Sequence, residues 1–182
     1  MTRGLFRFGI LASALLVGAA PALAQTAPPA RPTQRTTSSP LVQSLTTSDI
    51  AQAAVALSYE TAPVEFDGAT GLTLTTGDGL PLLALLQACD ETARPQRCFG
   101  LSLQAYFELS AGAQRLRMLA DEFNRDVAFA KAYAEGEYMV LEHYVIVDGG
   151  VTRDNLAANI LEFADSVAGF AAAMDAPAQA QR

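Results

Sequence analysis

The stretch Phe99-Gly-Leu-Ser-Leu-Gln-Ala-Tyr-Phe-Glu-Leu109 decides the fold class of this 182-residue chain. Apolar side chains occupy every second position from Leu101 onward, and polar or amphipathic side chains such as Ser102 and Tyr106 lie between them. Successive side chains of a β-strand point to opposite faces, so the pattern predicts a strand with one buried and one solvated face. Strands of this kind are typical of antiparallel sheets.

Further strands are predicted on both sides of this stretch. Each has alternating or continuous apolar residues, and glycine-containing turns such as Asp67-Gly68 and Gly77-Asp78-Gly79 separate them. Around Gly136 the pattern predicts a tight hairpin. The predicted strands cover residues 64–66, 72–76, 80–89, 99–109, 127–133 and 138–147.

Three helices are predicted from apolar positions spaced three and four residues apart. The first follows Thr47-Ser48-Asp49, the second runs from a Ser110 cap to about Asn124, and the third follows a Thr152 cap. Strands in meanders with helices set apart from them predict an α+β domain. We therefore expect an antiparallel sheet of about five to six strands with helices packed on it.

The N-terminus has the layout of a secretory signal peptide. Arg3 and Arg7 precede a short uncharged apolar run, and a small-residue ending at Ala24 predicts cleavage there. The run is shorter than the roughly 20 apolar residues that a bilayer span needs. We expect a signal peptide over 1–24, a disordered Pro/Thr/Ser-rich leader over 25–44, a domain over 45–175 and a flexible tail over 176–182. The expected location is the periplasm or the medium.

Net charge narrows the choice of partners. Without residues 1–24 the chain has ten basic and 19 acidic residues, a net charge of −9. Such an acidic chain repels phosphate backbones and anionic headgroups, so we expect neither nucleic-acid binding nor stable membrane insertion after cleavage.

Two cysteines, Cys89 and Cys98, flank eight polar, loop-like residues. An even count in an oxidising compartment predicts a structural disulfide that closes this loop. A redox-active pair is the alternative, but catalytic pairs are usually spaced C-x-x-C, which this pair is not.

No catalytic, cofactor-binding or metal-ligating motif occurs in the sequence. His143 is the one histidine, and its isolation predicts a surface or edge position. With one histidine and two bonded cysteines, a zinc site is not expected. The sequence contains no phosphate-binding loop and no nucleophile elbow. Asn124 is expected to stabilise a helix-to-strand corner with its amide, and a ligand role is the alternative.

Four segments form a recognisable set. They are Phe123-Asn-Arg-Asp-Val-Ala-Phe-Ala-Lys-Ala-Tyr133, Asp148-Gly-Gly-Val-Thr152, the helix over 155–174, and the Cys89 and Cys98 pair leading into an alternating strand. Together they resemble the YbjN-domain family, which is associated with bacterial sensory transduction. The resemblance covers about 45–174. The family pattern has Asn-x-Trp-Asn at the corner; here Asp121 and Phe123 replace the first Asn and the Trp, and Asn124 matches the last.

The resemblance implies a fold similar to type III secretion chaperones and binding of polypeptides. It implies no cofactor and no catalytic residues, and a homodimer is among the assemblies that it implies. We therefore expect an exported, non-enzymatic interaction domain that acts as a chaperone, adaptor or regulator.

Two hypotheses about the binding site follow. The first places an apolar patch for a protein partner of unknown identity among Tyr106, Tyr138 and Tyr144, with Asn124 as a further candidate. The second is a small enzyme or ligand-binding protein with an acidic pocket, where Asp121, Glu122, Asn124 and His143 would converge.

Overall fold

The alternating stretches form strands in the computed structural model, which describes residues 40–94, 96–108 and 113–176. All described elements belong to one compact unit. In chain order they are β1 (Leu41–Val42), α1 (Thr47–Ala56), β2 (Glu60–Phe66), β3 (Ala69–Thr75), β4 (Pro81–Asp90), β5 (Arg97–Glu108), α2 (Ala113–Asp126), β6 (Lys131–Glu135), β7 (Tyr138–Ile146), β8 (Val151–Thr152) and α3 (Arg153–Asp175).

Six of the strands form one antiparallel sheet in the order β2-β3-β4-β5-β7-β6. The stretch quoted first becomes β5, which is a central strand of this sheet. Short β1 and β8 pair separately as a two-stranded sheet. The predicted α+β class with a six-stranded antiparallel sheet is therefore confirmed.

The core lies between one face of the sheet and the three helices. Leu101, Leu103 and Leu141 of the central strands are fully buried there, as are Ile160 and Phe163 of α3. Helix α3 contacts α1, α2, β5 and β7. The apolar positions predicted on α3 thus form the stripe that packs on the sheet.

Polar groups define the helix ends. Thr152 is the N-cap of α3, as predicted, and its hydroxyl accepts a hydrogen bond of 3.1 Å from the backbone N–H of Asn155. At α1, Asp49 accepts from both the backbone N–H and the hydroxyl of Thr46. Arg115 of α2 donates 2.8 Å to the carbonyl of Ala173, which satisfies part of the C-terminus of α3.

Among the described residues, α3 is long and apolar enough to cross a membrane by length and composition alone. Core helices of globular domains share those properties. Here Leu156, Ile160, Phe163 and Val167 are fully buried against the rest of the domain, as the apolar stripe of a core helix is.

The predicted strand over 127–133 is wrong at its start. Strand β6 begins at Lys131, because the N–H of Val127 bonds back to the carbonyl of Phe123 (2.8 Å) and continues the last turn of α2. Val127 and Phe129 alternate with smaller residues as in a strand, but they lie in the connection between α2 and β6. The described part of α2 runs from Ala113 to Asp126, so the helix ends two residues later than the predicted end at about 124.

The predicted leader is also corrected at its end. Leu41 and Val42 pair with Thr152 and Val151, and Val42 is buried. These two apolar residues find a strand partner just before α3, which the composition of the leader did not indicate. Several predictions fall outside the described residues: the signal peptide over 1–24, the leader over 25–39, the strand end at Leu109, the Ser110 cap and the tail over 177–182.

Candidate functional site

The helices all pack on one face of the six-stranded sheet, and no helix of the described chain covers the other face. We call this second side the open face. Its central side chains alternate with those of the core. They are Leu83, Leu85, Ser102, Gln104, Tyr106, Lys131, Tyr133, Glu135, Tyr138, Val140, Glu142 and Tyr144.

The three tyrosines predicted for an interaction patch all lie on the open face, where Tyr106 contacts Tyr138 and Tyr144 lies four residues beyond Val140, the residue opposite Tyr106. Tyr106 is half-buried, whereas Tyr138 and Tyr144 are 43% and 46% exposed. Their placement follows from register, since Tyr106 lies opposite Val140 and Tyr144 opposite Ser102 in the β5–β7 ladder.

An aromatic row crosses the open face. The ring centroid of Phe66 lies 5.4 Å from that of Tyr106, and the Tyr106 centroid lies 5.9 Å from that of Tyr138 in an edge-to-face arrangement. Such geometries are the favourable ones for aromatic pairs. Phe66 was not among the predicted site residues, because its strand is the outermost one of the sheet.

Curvature of the sheet explains how Phe66 reaches Tyr106. Strands β2 and β5 are three places apart, a separation of roughly 14 Å in a flat sheet with strands about 4.8 Å apart. The hairpin β2–β3, which turns at Asp67 and Gly68 with φ of 48° and 77°, therefore curls over the open face.

Gly71 permits this curl. A Cβ at Gly71 would lie 2.2 Å from the carbonyl oxygen of Ala84 and 2.9 Å from the Cα of Leu85 on the adjacent strand. Glycine within a strand is typical of a close backbone approach or a tight bend. Leu85 and Val140 are buried on this face although no helix of the described chain covers it.

Two cavities lie under and beside the curled hairpin. The larger has a volume of about 740 Å³ and is lined by Phe66, Tyr106 and Tyr138 together with Asp67 and Glu135. The second, of about 470 Å³, shares Phe66, Asp67, Tyr106 and Glu135 with it. Both volumes are within the range of binding pockets, roughly 300–1,000 Å³.

A polar network occupies the centre of the open face, with Glu142 as its hub. One carboxylate oxygen accepts from the hydroxyl of Ser102 (3.0 Å), and the other accepts from Tyr133 (3.2 Å) and pairs with Lys131 (3.0 Å). The network continues from Ser102 through Gln104 to the hydroxyl of Tyr106. These hydrogen bonds fix the positions of the polar side chains at the centre of the open face.

Burial and charge act in opposite directions on Glu142. Burial raises the pKa of its carboxyl, but hydrogen bonds from Lys131, Ser102 and Tyr133 and the charge of Lys131 lower the pKa below its ordinary value. For Tyr133, burial and the nearby Glu142 both raise the pKa, to about 12. These groups therefore hold one charge state near neutral pH, and the arrangement is that of a structural ion pair.

Tyr144 is held by contact with a glycine. A Cβ at Gly100 would lie 2.0 Å from the Tyr144 hydroxyl oxygen, so the ring lies directly over the Gly100 backbone. This diagonal contact fills the space of the missing side chain and orients Tyr144.

Asn124 lies apart from the tyrosines. Its amide donates to the carbonyl of Ala132 (2.8 Å) and accepts from the N–H of the same residue (2.7 Å). Strand β6 is an edge of the sheet, so the Asn124 side chain covers one pair of backbone groups that another strand could bind. The geometry matches the corner-stabilising role expected for it.

His143 is buried, so its predicted surface or edge position is wrong. It lies on β7, which has neighbours on both sides, and its side chain faces the helices. Its ring contacts Phe129 and Phe163. Isolation in sequence gave no sign of these partners, which come from distant segments.

Both ring nitrogens of His143 face oxygen atoms. Nδ1 is 2.7 Å from the carbonyl of Phe129, and Nε2 is 2.8 Å from Oδ1 of Asn159, whose amide nitrogen donates to the carbonyl of Asn155. A neutral imidazole has one N–H, so it donates to one of these two acceptors at a time.

The acidic-pocket residues do not form one site. Asp121 and Glu122 are exposed on α2, whereas Asn124 and His143 are bound to their separate partners. Neither open-face cavity is lined by any of the four. Within residues 40–94, 96–108 and 113–176, no three His, Cys, Asp or Glu side chains form a potential metal site.

A disulfide joins Cys89 to Cys98, which lie opposite each other in the β4–β5 ladder. It closes the loop between the two strands that support Leu85 and Tyr106 on the open face. Cys89 also lines the smaller cavity.

Comparison with known proteins agrees with this architecture. The YbjN family, described as "Putative bacterial sensory transduction regulator", matches residues 46–176. The chain belongs to the YbjN family. No curated protein matches it. The family description names a regulator rather than an enzyme.

A solved structure supports the fold assignment. The crystal structure of YbjN from E. coli, described as a putative transcription regulator, has 18% sequence identity and a TM-score of 0.51. The match covers 72% of this chain and 91% of the E. coli chain. At this identity the likeness concerns the fold.

Proposed function

We propose that this YbjN-family chain is an exported, non-enzymatic binding domain whose open face holds a polypeptide partner. The observation that carries the proposal is the one-sided packing of the sheet. Three helices cover one face, whereas the other carries exposed tyrosines and two cavities. Tyrosine is enriched at protein interfaces because it combines apolar area with a hydrogen-bonding hydroxyl.

The edges of the sheet favour binding on the face over binding by strand addition. Asn124 occupies backbone groups of edge strand β6. The other edge strand, β2, contains Pro63, which has no N–H to donate. Both edges of the sheet are thus hindered for strand addition, which favours binding on the open face.

A regulatory role is compatible with this mode of binding. The chain carries a net charge of −7, which opposes direct contact with nucleic acid. We infer that regulation by this family member proceeds through a bound polypeptide, as an adaptor or chaperone in the periplasm or medium. The signal-peptide pattern of residues 1–24 supports export.

The binding proposal is tested by charge substitution on the open face. Tyr138→Glu and Tyr144→Glu place a carboxylate at exposed positions, and Met118→Glu, at a 58%-exposed position on α2, is the matched control. Polypeptides captured with the tagged protein from intact cells are compared by mass spectrometry, after thermal unfolding shows that each variant folds. Loss of a specific polypeptide in the two tyrosine variants alone is expected. Equal capture by all variants would exclude the open face.

Export is tested separately by the N-terminus of the protein recovered from cells. We expect a mature chain beginning at Gln25, in the envelope or medium fraction. A chain that begins at Met1 in the cytosolic fraction would contradict the export proposal and leave the binding proposal standing.

A further inference from the structure

The larger cavity of the open face combines aromatic rings with carboxylates. Phe66, Tyr106 and Tyr138 line it, together with Asp67 and Glu135. None of its lining residues is basic. The face of an aromatic ring attracts a cation through its quadrupole, and a carboxylate attracts the same cation by charge.

The carboxylates of this cavity affect the ionisation of the Tyr106 hydroxyl. Burial is the largest cause of the raised pKa of the Tyr106 hydroxyl, and the negative charges of Glu135, Glu142 and Asp67 raise that pKa further. Glu142 is already paired with Lys131, whereas neither Asp67 nor Glu135 has a salt-bridge partner among the described residues. The electrostatic potential inside the cavity is therefore negative.

The same face shows how such a combination of groups binds a cation. The ammonium of Lys131 lies 3.0 Å from the Glu142 carboxylate and 5.0 Å from the centroid of the Tyr133 ring. One carboxylate and one tyrosine thus hold a basic side chain on the neighbouring strands. The larger cavity presents the same two kinds of group in greater number.

We propose that this cavity binds a lysine or arginine side chain of an extended segment of the partner. The proposal rests on the open face being a polypeptide-binding surface and adds the chemistry that it recognises. A long basic side chain suits the site because its aliphatic stem packs on the rings while its charged end reaches the carboxylates. The negative net charge of the chain also accelerates the approach of a basic segment.

A titration with short peptides tests this inference. The probe is a blocked pentapeptide with one arginine among glycines and serines, and its control has citrulline, which is similar in shape and uncharged. Both are added to the ¹⁵N-labelled domain with its disulfide intact, and backbone amide shifts are followed. We expect the arginine peptide to shift the amides of Phe66, Asp67, Tyr106 and Tyr138, and the citrulline peptide to leave them in place.

Charge-neutral variants identify the groups responsible. Asp67→Asn with Glu135→Gln should weaken binding of the arginine peptide by roughly tenfold, as expected for loss of a partly desolvated charge interaction. Asp121→Asn with Glu122→Gln removes the same charge from α2 and should leave the affinity unchanged. Glu135→Gln alone replaces the double variant if the amide spectrum of the latter shows misfolding.

Three results would overturn the inference. They are equal shifts with arginine and citrulline, no shifts at the cavity with either peptide, and equal weakening by the α2 control variant. If capture of a polypeptide requires Tyr138 and Tyr144 but not Asp67 and Glu135, the proposed function is retained and recognition of a basic side chain is rejected.

If capture does not require the two tyrosines but the arginine peptide still binds the cavity, the proposed function is rejected and binding of a basic side chain by the cavity is retained.

Discussion

The two faces of the six-stranded sheet are built from alternate residues of the same strands, yet they are stabilised differently. On the helix-covered face, Leu101, Leu103 and Phe163 are completely buried in a continuous apolar core. On the open face, a polar network centred on Glu142 lies beside exposed tyrosines. One face therefore forms the apolar core of the domain, and the other is the face that we propose binds a partner.

The largest expected effect contrasts an aromatic residue from each face. Phe163→Ala removes a fully buried ring and should lower the free energy of unfolding by about 3–5 kcal/mol. Tyr138→Ala changes a ring that is 43% exposed and should cost less than about 1 kcal/mol. Urea unfolding followed by circular dichroism measures both, and similar losses would show that the open face is also a structural core.

The disulfide is expected to stabilise the strands that carry both faces. Replacing Cys89 and Cys98 with serine should lower the free energy of unfolding by about 2–3 kcal/mol, because the loop is no longer closed in the unfolded chain. Reductant should destabilise the unsubstituted protein by a similar amount and leave the double variant unaffected. A variant as stable as the oxidised protein would show that the cross-link adds nothing to stability.

Asn124 connects the helix-covered side to the sheet edge. Asn124→Ala removes two hydrogen bonds to Ala132 and should cost about 1–3 kcal/mol. It also frees an edge of β6, so self-association should increase in analytical ultracentrifugation. Asn124→Asp keeps the acceptor for the Ala132 N–H and should have an intermediate effect. An unchanged unfolding curve for the alanine variant would contradict the edge-protecting role.

The smallest expected effect is the pH dependence of the Glu142 network. The folded pKa of Glu142 lies below the ordinary value of 4.5, so its contribution is complete above that pH and is lost as the pH falls through the folded pKa. Because Lys131 is largely exposed, this contribution should be about 1 kcal/mol or less. Unfolding measured between pH 7 and pH 3 should show a shallower acid decline for Glu142→Gln, and parallel curves would contradict the assignment.

Local sequence patterns were sufficient to predict the main strand and helix of the helix-covered face. The alternation of 99–109, the spacing of apolar residues on α3 and the Thr152 cap predict these elements, because each depends on neighbours in sequence. That Tyr106 lies on the open face was also predictable, since it lies between core positions of one strand; the role of the tyrosines in binding stays a prediction. Tyr138 and Tyr144 lie on the strand that returns beside that of Tyr106.

Features that depend on distant segments were not predictable in the same way. The position of Phe66 above Tyr106 depends on the curl of a hairpin and on a close backbone approach at Gly71. The burial of His143 depends on Phe129 and Asn159, which are 14 and 16 residues away. The hub role of Glu142 requires the register of three strands, which one sequence does not specify.

The most direct test of the account is site-specific photo-crosslinking in cells that produce the protein. A photoreactive phenylalanine derivative is placed at Tyr138 on the open face and at Met118 on the helix side, which are 43% and 58% exposed. We expect a crosslinked polypeptide at position 138 and none at position 118. Crosslinks at position 118 alone would place the binding surface on the helices and contradict the division of roles between the two faces.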